Sequence, residues 1–434
     1  MYAYVVFVTL SGQTELGSAL SVITPDTNNN FLWPETMEST LDESTSWLQW
    51  LHRLGLHFDP FDTLNAADDP HLGEYLIEHE IFARLWGNDW AWVFAPPGGG
   101  KTALRCRISQ TCWIGQETNR PFPIPYLPPF LSWSNVAPSL EDHFGALAQA
   151  AAKVLLLTLA YRPHWTFRLP QSALPEIHKA LAWSLPGPLQ NYLDLCQQTR
   201  DLEQLRRALD LDHAFALPNP PEVDVLLEWC TIWTALPSPT TRPQAQERWE
   251  ALLRVLLEVL DFDGGVYLLV DGLDAAPETV TLPEAVAEVL APILAAVAPW
   301  AQQHIYVKGF LPAESQPLLT TRYPELFSTP HTNTIQWTVP LLAQVVRRRI
   351  FVATQGDFDS LDAIASPALR GLEAWLAAAA LPLPREMLVL TRRVLQEHFK
   401  RKDYNSPLQE TDVQNALRWY RAARPNIIQV DNQL

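Results

Sequence analysis

Residues 95 to 102 read Ala-Pro-Pro-Gly-Gly-Gly-Lys-Thr, an arrangement of glycines, lysine and hydroxyl that can hold phosphate. Glycines let consecutive backbone N–H groups turn inward on an anion. A helix that starts directly after them adds the positive end of its dipole. In such a loop Pro97, Gly98, Gly99, Gly100 and Ala103 form the cradle. Lys101 reaches the β- and γ-phosphate oxygens, and the Thr102 hydroxyl ligates Mg²⁺. Ala95 stands at the first position, where glycine is usual. The flanks suit the reading: Ala91-Trp92-Val93-Phe94 is a short apolar run of strand type, and residues 102 to 108 can form a helix. The alternative is an ordinary surface turn rich in Gly and Pro.

A phosphate loop needs an acid on a neighbouring strand to support the metal shell. Residues 266 to 274, Val-Tyr-Leu-Leu-Val-Asp-Gly-Leu-Asp, provide one. The unbroken apolar run predicts a strand buried on both faces. Asp271 then sits at its carboxyl end, where open α/β sheets hold their ligands. Asp274 follows on the loop.

With both stretches in view, the chain resembles the P-loop ATPases of the AAA+ and STAND branches, above all bacterial members similar to the origin-recognition ATPases. Asp59-Pro60-Phe61 looks like the Asn-Pro-Phe-type box that precedes the phosphate loop there, with Phe61 a candidate either to pack on adenine or to fill the core at the Pro60–Phe61 corner. Ile305 to Pro312 looks like the next core strand, with Lys308 standing in for sensor 1. Leu383-Pro384-Arg385-Glu386 looks like the element that opens a lid helix, with Arg385 as sensor 2 touching the γ-phosphate. The resemblance implies ATP and Mg²⁺ as cofactors, Thr102 and Asp271 as metal residues, and assembly into homo-oligomers or with a protein partner. Arg322 is a candidate to act on a neighbouring subunit's nucleotide. Two positions depart from the pattern: Gly272 replaces the Glu that often follows the Mg²⁺ aspartate, and Ala275 replaces the acid usual after the second Asp in STAND proteins. The residue that orients water is therefore Asp274 or Glu278.

The fold expected is α/β, a P-loop NTPase core whose parallel sheet is covered by helices, with a helical insertion and a C-terminal all-helical lid. Residues 1–46 read as an N-terminal arm and linker, 47–345 as the core with its insertion at about 161–243, and 346–434 as the lid. The interval from Thr102 to Asp271, about 170 residues, exceeds what one strand–helix crossover needs and so demands the insertion. A strand near residues 121 to 133 belongs at a sheet edge because of its prolines. Residues 335 to 339 alternate like a fifth strand. Thr411 is suited to cap a late helix, with Asp412 in its first turn. Trp47 and Trp50 form a packing seam.

The 434 residues are 47% hydrophobic with 17 tryptophans, enough for a large core. A net charge of −17 disfavours unspecific binding to nucleic acid. Residues 392 to 402 are the best local basic patch and read as the solvated face of a helix. Cys106, Cys112, Cys196 and Cys230 lack C-x-x-C spacing and read as free thiols of a reducing cytoplasm. No membrane span is expected. The function that follows is a Mg²⁺-dependent, ATP-binding and hydrolysing switch whose nucleotide state controls a partner or assembly. The alternatives are a nucleotide-stabilised scaffold with little turnover, or a DNA-handling ATPase.

Overall fold

The runs Ala91–Ala95 (β1) and Val266–Val270 (β3) carry no alternation of polar and apolar residues, and both are buried along their whole length. Strands covered on both faces require this. With Phe122–Tyr126 (β2), Ile305–Pro312 (β4) and Thr332–Thr334 (β5) they form one parallel sheet in the order β2-β3-β4-β1-β5. The computed structural model describes residues 41–114, 120–129, 138–216, 219–274, 282–402 and 406–424, with side chains from residue 47 onward. The N-terminal arm 1–40 and Glu278 lie outside the described residues.

β2, with Pro123 and Pro125, is an edge strand, as its prolines anticipate. β4 runs to Pro312, in register with Ala95 at the end of β1. β5 lies earlier than the alternation of residues 335 to 339 suggests. It spans Thr332–Thr334, and Ile335 adds one further N–H bond to Phe94 O (3.1 Å). Val339 already opens the Val339–Ala353 helix because Pro340 suits a first helical turn. Beyond that one bond, the period of two across residues 335 to 339 comes from Ile335 and Trp337 turning inward without further strand pairing.

The Leu140–Tyr161 helix begins with a capping box between Ser139 and Asp142 and packs on β2. This helix and Pro283–Ala301 are long and apolar enough to cross a membrane, but their apolar residues are spent on the core around the sheet. Between β2 and β3 the helices Ala173–Ser184, Leu189–Thr199, Leu202–Ala208 and Val223–Thr234 join that same core through Leu181, Leu193, Leu205 and Trp229.

A separate apolar cluster unites Val339–Ala353, Leu372–Ala379, Pro384–Lys400 and Glu410–Ala423. Trp50, Leu51, Leu56 and Phe61 belong to this cluster, so the Leu41–Arg53 helix and its following loop pack with the C-terminal helices and not with the sheet. Trp47 lies 5.0 Å from Trp50 and 5.3 Å from Phe399, which makes the tryptophan pair a packing seam. Asp59 accepts from Trp47 Nε1 (3.0 Å) and Arg392 (3.1 Å). Arg349, buried, bonds Pro60 O and pairs with Asp69 at 3.1 Å. Phe61 is sealed in this cluster, so of its two readings core packing holds and the adenine contact does not. The last helix starts at Glu410, and Gln409 caps it in place of Thr411; Asp412 does sit in the first turn.

Candidate functional site

Five residues, Pro96 to Gly100, connect β1 to the Lys101–Ile114 helix. Gly98 (φ +81°) and Gly100 (φ +95°) adopt the left-handed conformation that glycine alone takes without strain. Gly99 N–H donates to Pro96 O at 3.0 Å and closes the turn. Among the described residues, the N–H groups of Gly98 and Gly100 have no acceptor. The first amides of the helix, from Lys101, Thr102 and Ala103, lack intrahelical partners by geometry. The result is a row of donors at a helix N-terminus, suited to an anion. The Thr102 hydroxyl also has no partner among the described residues.

Lys101 is 4% exposed. Its ammonium donates to Ala95 O (2.7 Å) and Pro96 O (3.1 Å), and pairs with Asp274 Oδ2 at 2.7 Å. The ammonium thus donates to two backbone carbonyls at the base of the loop and forms an ion pair with the Asp274 carboxylate. The two sequence motifs, far apart in the chain, thus meet through Lys101 and Asp274.

Asp271 is the first residue beyond β3, and its N–H bonds Tyr126 O on the edge strand (3.0 Å). Its Oδ2 accepts from Arg105 Nε at 3.0 Å, while its Oδ1 is buried with no partner among the described residues. Arg105, also buried, gives Nη1 to Asp212 Oδ2 at 2.6 Å. Two carboxylates share one guanidinium, so the cluster keeps a net negative charge and one orphaned oxygen. Leaving that oxygen unpaired costs about 1–3 kcal/mol.

The C-terminal helices touch the glycine loop directly. Arg385 N–H faces Gly98 O at 3.4 Å, and a Cβ added to Gly98 would lie 2.9 Å from Arg385 Cβ. Trp337 Nε1 donates to Gly99 O at 2.8 Å. Arg385 itself is exposed, at the start of its helix.

Lys308 belongs to the opposite end of the sheet. It pairs in register with Ala91, the first residue of β1, and its ammonium donates to Gly87 O and Asp89 O (3.0 and 2.6 Å) over the Tyr267 ring. This corrects its assignment as sensor 1: β4 continues four residues past it, and the residues level with the glycine loop are Leu311 and Pro312. Arg322 is exposed on the last turn of Gln316–Arg322. Sequence reasoning missed Arg105, Asp212 and Trp337. Arg105 alone carried a signal, since it lies one helical turn beyond Lys101.

No family model, no curated protein and no solved structure matches this chain.

Two predictions arise from these contacts. Asp274 occupies Lys101 as a phosphate oxygen would, so Asp274→Asn is expected to tighten ATP binding. The pair is mostly buried, so releasing Lys101 from it contributes about 1 kcal/mol or more, which corresponds to at least about fivefold in affinity. Calorimetric titration measures this; unchanged or weaker affinity would mean that Asp274 does not compete for the lysine. The second concerns Lys308, whose pKa burial lowers to about 8 against the opposing pull of Asp89. Between pH 8 and 10.5 the unfolded chain then holds the extra proton, so stability rises with pH across that window, by at most about 3 kcal/mol from this group. Denaturant midpoints of wild type and Lys308→Met should diverge over that range, with the rise missing in the variant. Parallel curves would remove the argument.

Proposed function

We propose that this protein is a Mg²⁺-dependent ATP-binding switch with hydrolytic capacity, built on a P-loop ATPase core of the AAA+/STAND kind. The observation that carries this reading is the 2.7 Å pair between Lys101 of the glycine loop and Asp274 of the β3 loop, beside Asp271 at the carboxyl end of a parallel sheet. Lys101 and the loop amides bind the phosphates. The orphaned Oδ1 of Asp271 and the free hydroxyl of Thr102 fit a divalent cation, which would neutralise charge on the phosphate oxygens. Asp274, released from Lys101 by the incoming phosphate, becomes free to orient water. Arg385 and Trp337 connect the loop to the C-terminal helices, which act as the lid. Arg322, exposed at the end of its helix, is the residue proposed to reach a neighbouring subunit's nucleotide in an assembly.

The test is ATP binding and steady-state hydrolysis by the purified protein, with and without Mg²⁺. Mg²⁺-dependent turnover supports the switch. No nucleotide binding under either condition ends this reading. A second reading, a nucleotide-stabilised scaffold, is favoured by one observation: both acids near the loop are paired with cations, Asp274 with Lys101 and Asp271 with Arg105. Tight binding without turnover would select it. The net charge of −17 weighs against a DNA-handling ATPase, and salt-dependent DNA binding would be needed to revive that option.

A further inference from the structure

We infer that the helical insertion reads the state of the nucleotide site through Arg105, a positioning residue that joins Asp271 to Asp212. The inference rests on the nucleotide reading above. Asp271 comes from the end of β3, Arg105 from the glycine-loop helix and Asp212 from the insertion. Their contacts, 3.0 Å and 2.6 Å, are buried, with Arg105 and Asp271 each 1% exposed. Buried ion pairs of this kind respond strongly to nearby charge, because little water screens them.

Asp212 divides its carboxylate between two tasks. Oδ2 holds Arg105, and Oδ1 accepts the N–H of Ala214 (3.0 Å), capping the short turn His213–Phe215. Phe215 is buried against Trp113 of the glycine-loop helix, at 5.3 Å between rings, and His213 N–H reaches Ala67 O. The turn is therefore fastened at several points, and Asp212 is its electrostatic one.

With a divalent cation held by Asp271, the Oδ2 that Arg105 holds would carry less charge and the guanidinium would be repelled from it. Arg105 then leans on Asp212 alone. That fixes the carboxylate, and with it the cap on the turn. Nucleotide without metal leaves the Arg105–Asp271 pair in place and produces no such change. The insertion is thereby tied to the metal-loaded state of the site and not to phosphate binding as such.

Hydrogen exchange of the full-length protein tests this. With ATP and Mg²⁺, amides 214 to 216 are expected to gain about threefold protection, and with ATP and a chelator none. In Asp212→Asn the gain disappears although ATP still binds, and Asp212→Glu restores it. Linkage requires the reverse effect as well: the Mg²⁺-dependent part of ATP affinity shifts by about fivefold in Asp212→Asn. An insertion that exchanges identically with and without Mg²⁺ and ATP in a protein that binds them overturns the inference. So does an Asp212→Asn variant that responds like wild type. Failure of the wild type to bind ATP at all overturns the nucleotide reading itself, which calorimetry on the same samples distinguishes.

Discussion

Lys101→Ala is expected to weaken ATP binding by at least about a hundredfold and to leave no measurable turnover. The ammonium is buried at the base of the glycine loop, and its bonds to phosphate oxygens are charge-assisted. Bonds of that kind contribute about 1.5–3 kcal/mol each, so losing two costs at least about 3 kcal/mol, or more than a hundredfold. A second effect adds to the first. Without the lysine, the Asp274 carboxylate stands unpaired beside the place of the phosphates and repels them. The fold should survive, because Ala95 O and Pro96 O lose only a side-chain donor and the strand and helix around them keep their own bonds. Calorimetric titration with ATP, beside circular dichroism to confirm the fold, measures the effect. Affinity within tenfold of wild type would mean that the glycine loop is not a phosphate site.

Arg105→Leu should destabilise the protein by about 3–5 kcal/mol, the usual consequence of removing one partner from a buried ionic cluster. The loss comes from what is left behind. Asp271 and Asp212 would face each other without a cation, and Asp271 already has one oxygen unpaired. Arg105→Leu combined with Asp212→Leu should therefore be more stable than Arg105→Leu alone, since the second change removes one stranded carboxylate. Urea unfolding with an unchanged m value is the measurement. A single variant within about 1 kcal/mol of wild type would show that the cluster is not an electrostatic unit.

The parts of the site legible in the sequence were those set by local pattern. The apolar runs before Ala95 and Asp271 read as buried strands, the glycines read as a turn, and the two prolines of β2 read as an edge. The Arg105 cluster was illegible because its charges pair across 166 and 107 positions, and nothing local distinguishes Asp212 from any acid before a turn. The place of Lys308 at the far end of the sheet is illegible in the sequence for a related reason. Its strand was recognised, but the length of β4 and its register with β1 follow from pairing. Trp337 looked like a strand residue because its alternation with Ile335 is real. The cause is burial on one side and not a hydrogen-bonded ladder.

The edge prolines have a consequence for how copies of this chain can associate. Phe122 N–H donates to Gly265 O and Tyr126 O accepts from Asp271 N–H, so residues 122, 124 and 126 direct their backbone groups toward β3. Residues 123 and 125 direct theirs outward, and both are proline. The free side of β2 therefore offers no N–H at those two positions, and a foreign strand arriving there meets carbonyls without donors. At the opposite border β5 is only three residues long. Neither border of the described sheet offers a continuous template for pairing between molecules, so among the described residues helical and loop surfaces are the route to any ring or filament.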